Sequence, residues 1–132
     1  MSETSSSEPL HCFFGVCLGQ RRDEVHLAKG PPQDTFRRGR FAKGPTDIWE
    51  DLIFVAYKDD EVRHIEVCKP MRTFLLGVEL NGRALAEVSD DLAKKGLQVE
   101  VDENDPAVAE VLRWGIAFYL EDDVVVTTGI GH

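Results

Sequence analysis

No apolar run in this chain approaches the ~20 residues needed to span a bilayer, which excludes a membrane-spanning helix. The first residues, Met1 to Pro9, are rich in Ser and Glu and lack the basic and apolar regions of a signal peptide. Residues 1–10 read as a short disordered tail. Cysteine is scarce: three residues, odd in number and unevenly placed, point to free thiols in a reducing cytoplasm. No CxxC or HxxxH spacing is present. His11, Cys12 and Cys17 lie close in sequence, and His64, Glu66 and Cys68 alternate along one strand, but neither set has metal-ligand spacing. There is no GxSxG, no Ser-His-Asp ordering and no phosphate loop. The Ser run at 5–7 lies in the tail, and Gly129-Ile130-Gly131 precedes no helix. No metal, cofactor or catalytic set is expected, so an enzyme is not the leading expectation.

What the chain has is charge, unevenly spread. Its 132 residues are 42% hydrophobic and 30% charged, ordinary for one soluble domain. The net charge is −9, split as +2 over residues 1–45 and −11 over residues 46–132. An acidic second half argues against nucleic-acid binding, which needs a basic footprint. It suits a basic protein partner drawn in by electrostatic steering, as well as plain solubility.

The chain also resembles itself. Shifted by 62 positions, Cys12 to Leu18 falls on Phe74 to Leu80, and Phe54 to Val62 falls on Ile116 to Val124, with Tyr57 on Tyr119. Strands are expected at 13–18, 52–57 and 62–68, and again at 74–80, 116–120 and 124–130, with hairpin turns at Asp59-Asp60 and Asp122-Asp123. A helix over 21–29 stops at Gly30-Pro31-Pro32. A second helix carries Leu85, Val88 and Leu92 on one stripe and stops at Gly96. Thr46 or Asp47 reads as the cap of one helical turn, and Asp105-Pro106 as the start of a short helix through Leu112. Residues 35–41 and 99–102 read as strands. The expectation is an α+β domain over residues 11–132: a tandem duplication of a ~60-residue unit (11–70 and 72–132), because a unit that small buries its apolar face poorly alone. Its sheet would be largely antiparallel, with helices packed on one face.

The run Gly19 through Val25, then Gly30-Pro31, then Tyr57 and the Val62 to Val67 strand resembles the small unit of the SmpA/OmlA outer-membrane lipoproteins and the β-lactamase-inhibitor-protein fold. The second segment keeps Gly82 through Val88, Gly96 and Tyr119, without the Pro after its glycine. Small cytoplasmic bacterial proteins share this look. The chain shows no lipobox cysteine, so a lipoprotein role is not carried over. The resemblance implies a scaffold whose exposed sheet face binds another protein.

The functional expectation is a non-enzymatic protein-binding module, possibly of inhibitor or immunity type, in the cytoplasm and without nucleic acid or membrane. The alternative is a small-ligand protein or minor enzyme with a cleft lined by His64, Tyr57 and Tyr119; a homodimer is a further possibility. Binding surfaces concentrate energy in Trp, Tyr and Arg. Trp49 and the basic cluster Arg37, Arg38 and Arg40 are therefore the candidate protein-binding residues. Cys12 falls on Phe74 and reads as a small core residue.

Overall fold

A computed structural model describes residues 12–36, 44–111 and 114–131 of the chain. The element order is β1 (Cys12–Phe13), β2 (Val16–Cys17), α1 (Arg22–Lys29), β3 (Asp34–Phe36), β4 (Thr46–Trp49), β5 (Ile53–Lys58) and β6 (Glu61–Cys68). It continues with β7 (Phe74–Leu75), β8 (Val78–Glu79), α2 (Leu85–Ala93), β9 (Glu100–Val101), β10 (Val108–Val111), β11 (Ile116–Glu121) and β12 (Val124–Gly131). Eight strands form one antiparallel sheet in the order β3-β4-β5-β6-β12-β11-β10-β9. The two small hairpins, β1-β2 and β7-β8, stand apart as two-stranded sheets.

This overturns the α+β expectation of a tandem duplication with helices packed on one face. The described residues are 46% strand and 16% helix, with two short helices, so the protein is mainly β. Two segments read as helical are strands. Thr46 and Asp47 open β4, and the stretch after Pro106 becomes β10. In both, the hydrogen-bonding edge offered by β5 and by β11 outweighs a local capping signal. The strands expected at 13–18 and 74–80 are instead tight hairpins, bent at Phe14-Gly15 and Leu76-Gly77, where all four residues have positive φ. Positive φ at both central positions is the turn whose twist matches paired strands.

The 62-residue shift also misplaces the tyrosines. Gly19 N–H donates to Val62 O and Gly82 N–H to Val125 O; Arg22 N–H donates to Asp60 O and Leu85 N–H to Asp123 O. These corresponding bonds lie 63 residues apart. Tyr57 is buried on the core face, whereas Tyr119 faces the other way and is half-buried. A one-residue slip along a strand exchanges its faces.

The core sits on one face of the sheet. Counting outward from the central β6–β12 pair, one core-facing row runs through the buried Ile65, Val55 and Asp47 to the exposed Thr35 on β3. Its counterpart runs through the buried Thr128, Phe118 and Ala109 to the exposed Val101 on β9. Val25 from α1 and Val88 and Leu92 from α2, each fully buried, join this core. Burying an aliphatic side chain of this size stabilises the fold by roughly 1.5–3 kcal/mol. Neither N-cap residue caps its helix with a hydroxyl or carboxylate of its own, although Glu24 accepts the Arg21 N–H at the start of α1 at 2.9 Å. The first N–H of each instead reaches the carbonyl of a hairpin turn, Asp60 for α1 and Asp123 for α2, so each hairpin positions a helix.

Candidate functional site

The face opposite the core is the first candidate. One register row crosses all eight strands: Asp34, Ile48, Phe54, Glu66, Gly129, Ala117, Glu110 and Glu100. Its middle is apolar apart from Glu66, and its ends are acidic. The strand alternation that buries Ile53, Val55 and Tyr57 leaves Phe54 and Ala56 half-buried on this side. His64, Glu66 and Cys68 lie here for the same reason, as do Ala117 and Tyr119. His64 Nε2 lies 2.8 Å from Glu66 Oε2. The ring packs over Gly129, where a Cβ would come within 3.2 Å of His64 Nε2. His64 Nδ1 is buried and makes no hydrogen bond with a described residue. A β-bulge between Ala56 and Tyr57 in the β5–β6 pair has a counterpart between Tyr119 and Leu120 in the β11–β12 pair. Bulges of this kind increase the local twist of a sheet.

The second candidate is a charged cluster at the β4 end of the core. Asp47 is fully buried and accepts a bidentate pair from Arg22, Nε to Oδ2 at 3.1 Å and Nη2 to Oδ1 at 2.8 Å. His26 Nε2 lies 2.6 Å from Oδ2, and the Thr35 hydroxyl donates to Oδ1 at 2.7 Å. Arg22 and His26 fall one helical turn apart on α1, so they reach the same carboxylate. Burial by itself pushes the Asp47 pKa up, but the hydrogen bonds from Arg22, His26 and Thr35 outweigh it and hold the group at about 2. The Arg22 guanidinium also lies 5.3 Å from the centre of the Tyr57 ring. The buried Tyr57 hydroxyl is near the same carboxylate without closing a hydrogen bond of good geometry. Burial, and then the Asp47 charge, push its pKa upward. Arg22 and His26 reach solvent at a shallow depression of about 380 Å³, shared with Arg21, Asp23 and Asp60. Mixed charges on an open surface give it no preference for one sign of ligand.

The sequence-derived residues fall as follows. Trp49 is 7% exposed, and its indole N–H donates to Gly30 O at 3.3 Å. Its ring stands edge-on to His26. Arg37, Arg38 and Arg40 lie outside the described residues. His64 and Tyr119 share the outer face but Tyr57 does not, so the three do not line one cleft. Cys12 is exposed rather than core, and the expectation of three free thiols is corrected: Cys12 and Cys17 form a disulfide, with Cys68 free. Sequence reasoning missed the Arg22, His26 and Asp47 cluster. Its available signal was an Asp two residues before Trp49 on the same strand face, together with a helix carrying Arg and His four residues apart.

Among the described residues, no group of three or more His, Cys, Asp or Glu could hold a metal ion. No helix there is long and apolar enough to cross a membrane. No family model, curated protein or solved structure matches the chain.

Proposed function

We propose that this protein is a non-enzymatic binding module that receives a basic partner protein on the outer face of its eight-stranded sheet. The observation that carries the reading is the register row across that face. Two apolar stretches, Ile48-Phe54 and Gly129-Ala117, lie either side of the His64-paired Glu66, and the row ends in the carboxylates of Asp34 on one side and Glu110 and Glu100 on the other. An apolar centre with a charged rim is the usual anatomy of a protein interface. The net charge of −9 would steer a basic partner toward it. Trp49, with so little exposed area, gives a partner little to hold and is not part of the proposed face. The reading keeps the expectation, drawn from the resemblance stated above, that an exposed sheet face does the binding.

The test is affinity capture from the native host with quantitative mass spectrometry, using wild type, Glu110→Lys with Tyr119→Ala, and a control reversal on α2, Asp90→Lys. The expected result is a basic protein captured by wild type and by the control, and depleted at least tenfold with the face variant. Melting temperatures of all three should agree within a few degrees. Equal capture by the face variant would remove the outer face from consideration.

A further inference from the structure

We infer that the Cys12–Cys17 pair is a thiol–disulfide exchange site open to small thiols of the glutathione class. Cys12 lies directly opposite Cys17 across the Phe14-Gly15 turn, with Cα atoms 4.0 Å apart, and the two sulfurs are bonded. Cys12 is exposed and Cys17 half-buried, so an attacking thiolate reaches Cys12 first. Between them, Phe13 and Val16 are buried and anchor the hairpin to the core independently of the sulfurs.

The second hairpin shows what the bond is not needed for. β7 and β8 pair in the same way around Leu76-Gly77, with Phe74 opposite Glu79 where the first hairpin has its cysteines. That hairpin is held by Arg72, whose Nε donates to Glu79 at 2.9 Å and whose guanidinium lies 5.1 Å from the centre of the Phe74 ring. A positive-φ turn, buried anchors and a non-covalent clasp therefore close such a hairpin without a covalent link. A bond spanning five positions also removes little entropy from the unfolded chain, so its loss leaves the fold standing. An accessible disulfide that the fold does not require can cycle in the native protein. The third cysteine lies elsewhere: Cys68, on the outer sheet face, accepts a hydrogen bond from Thr127 at 3.4 Å.

The chemistry balances as two exchanges. An external thiolate attacks Cys12 Sγ, the S–S bond breaks, and Cys17 leaves as a thiolate that takes a proton from water. A second external thiolate attacks the external sulfur of the mixed disulfide and releases Cys12 as a thiolate. Two thiols are oxidised to one external disulfide, and the protein pair gains their two electrons.

The test incubates the folded chain in glutathione buffers of graded ratio, quenches with an alkylating reagent and reads each cysteine by peptide mass spectrometry. The expected result is reversible, paired reduction of Cys12 and Cys17 with one midpoint and an unchanged far-ultraviolet circular dichroism spectrum. Cys17→Ser should trap glutathione on Cys12, and Cys68→Ser should leave the midpoint unmoved. The inference is overturned if the pair resists excess reduced glutathione until denaturant is added, or if reduction unfolds the chain. It is equally overturned if Cys17→Ser takes up no glutathione at Cys12.

Discussion

At one end of the sheet Asp47 sits between Thr35 and Val55; at the other, Ala109 sits between Val101 and Phe118. The surroundings differ in the same sense. Arg22 opens α1 where Leu85 opens α2, His26 follows where Ser89 follows, and Tyr57 stands where Leu120 stands. Several backbone hydrogen bonds at the two helix starts correspond, among them Arg22 N–H to Asp60 O and Leu85 N–H to Asp123 O. The fold thus closes this corner equally well with methyl groups and with a buried carboxylate. A buried ion pair is often no more stable than apolar residues of similar volume, so the polar version is not there because the backbone demands it. It does have a mechanical effect. α1 buries only Val25, whereas α2 buries Val88 and Leu92, and Asp47 supplies the hold that α1 lacks in apolar area.

The sharpest way to break this comparison is Asp47→Ala. It strips Arg22 and His26 of their acceptor and should lower unfolding free energy by about 3–5 kcal/mol, read from urea denaturation. The same change made together with Arg22→Leu, His26→Ser, Thr35→Val and Tyr57→Leu installs the residues of the other end. That variant should recover most of the loss. A combined variant no more stable than Asp47→Ala would mean that the two ends are not interchangeable.

On the apolar side, Leu92→Ala should cost about 2–5 kcal/mol. Because Leu92 packs through apolar contact alone, the loss should be nearly the same at pH 3 and pH 7.

Acid should separate the two ends directly. Asp47 is held at about 2 against an ordinary value of 3.8. Its stabilisation is fully present above the unfolded pKa and is lost as pH falls from about 4 toward 2, a change of about 2 kcal/mol. Asp47→Asn should flatten that part of the pH profile in urea or thermal melts. A profile unchanged by Asp47→Asn would show that other carboxylates carry the acid sensitivity.

The smallest effect concerns the turns. Asp59, Asp60, Asp122 and Asp123 all have positive φ, a conformation that favours Asn-Gly. Replacing either Asp-Asp pair by Asn-Gly should raise stability by up to about 1 kcal/mol. The gain should be smaller at 59–60. The Arg22 pKa is raised first by its hydrogen bond to Asp47 and to a lesser extent by the Asp60 charge, which the substitution removes. Equal gains in melting temperature at both turns would show that Asp60 contributes nothing to Arg22.

These contrasts also explain what could be read from the chain beforehand. The hairpins around Asp59-Asp60 and Asp122-Asp123 were legible because β-branched alternation and turn residues are local signals. The Val88 and Leu92 stripe was legible for the same reason. β4 and β10 were not, since Thr46-Asp47 and Asp105-Pro106 carry stronger helix-start signals than strand signals, and only pairing with β5 and β11 decides their state. The tyrosines were placed together by similarity and separated by one residue of register. Asp47 was invisible as a site because its partners come from a helix 21 to 25 residues earlier, a distance at which local pattern says nothing.

The middle of the sheet is made last. β6 is complete at Cys68, yet the strand that lies beside it in the folded protein, β12, begins only at Val124. As the chain is synthesised, the first four strands of the sheet exist with β6 as an open edge while more than fifty further residues are added. Until β12 is added, the Ile65 and Val67 backbone presents an unpaired edge, the kind of edge on which a strand of another chain can pair.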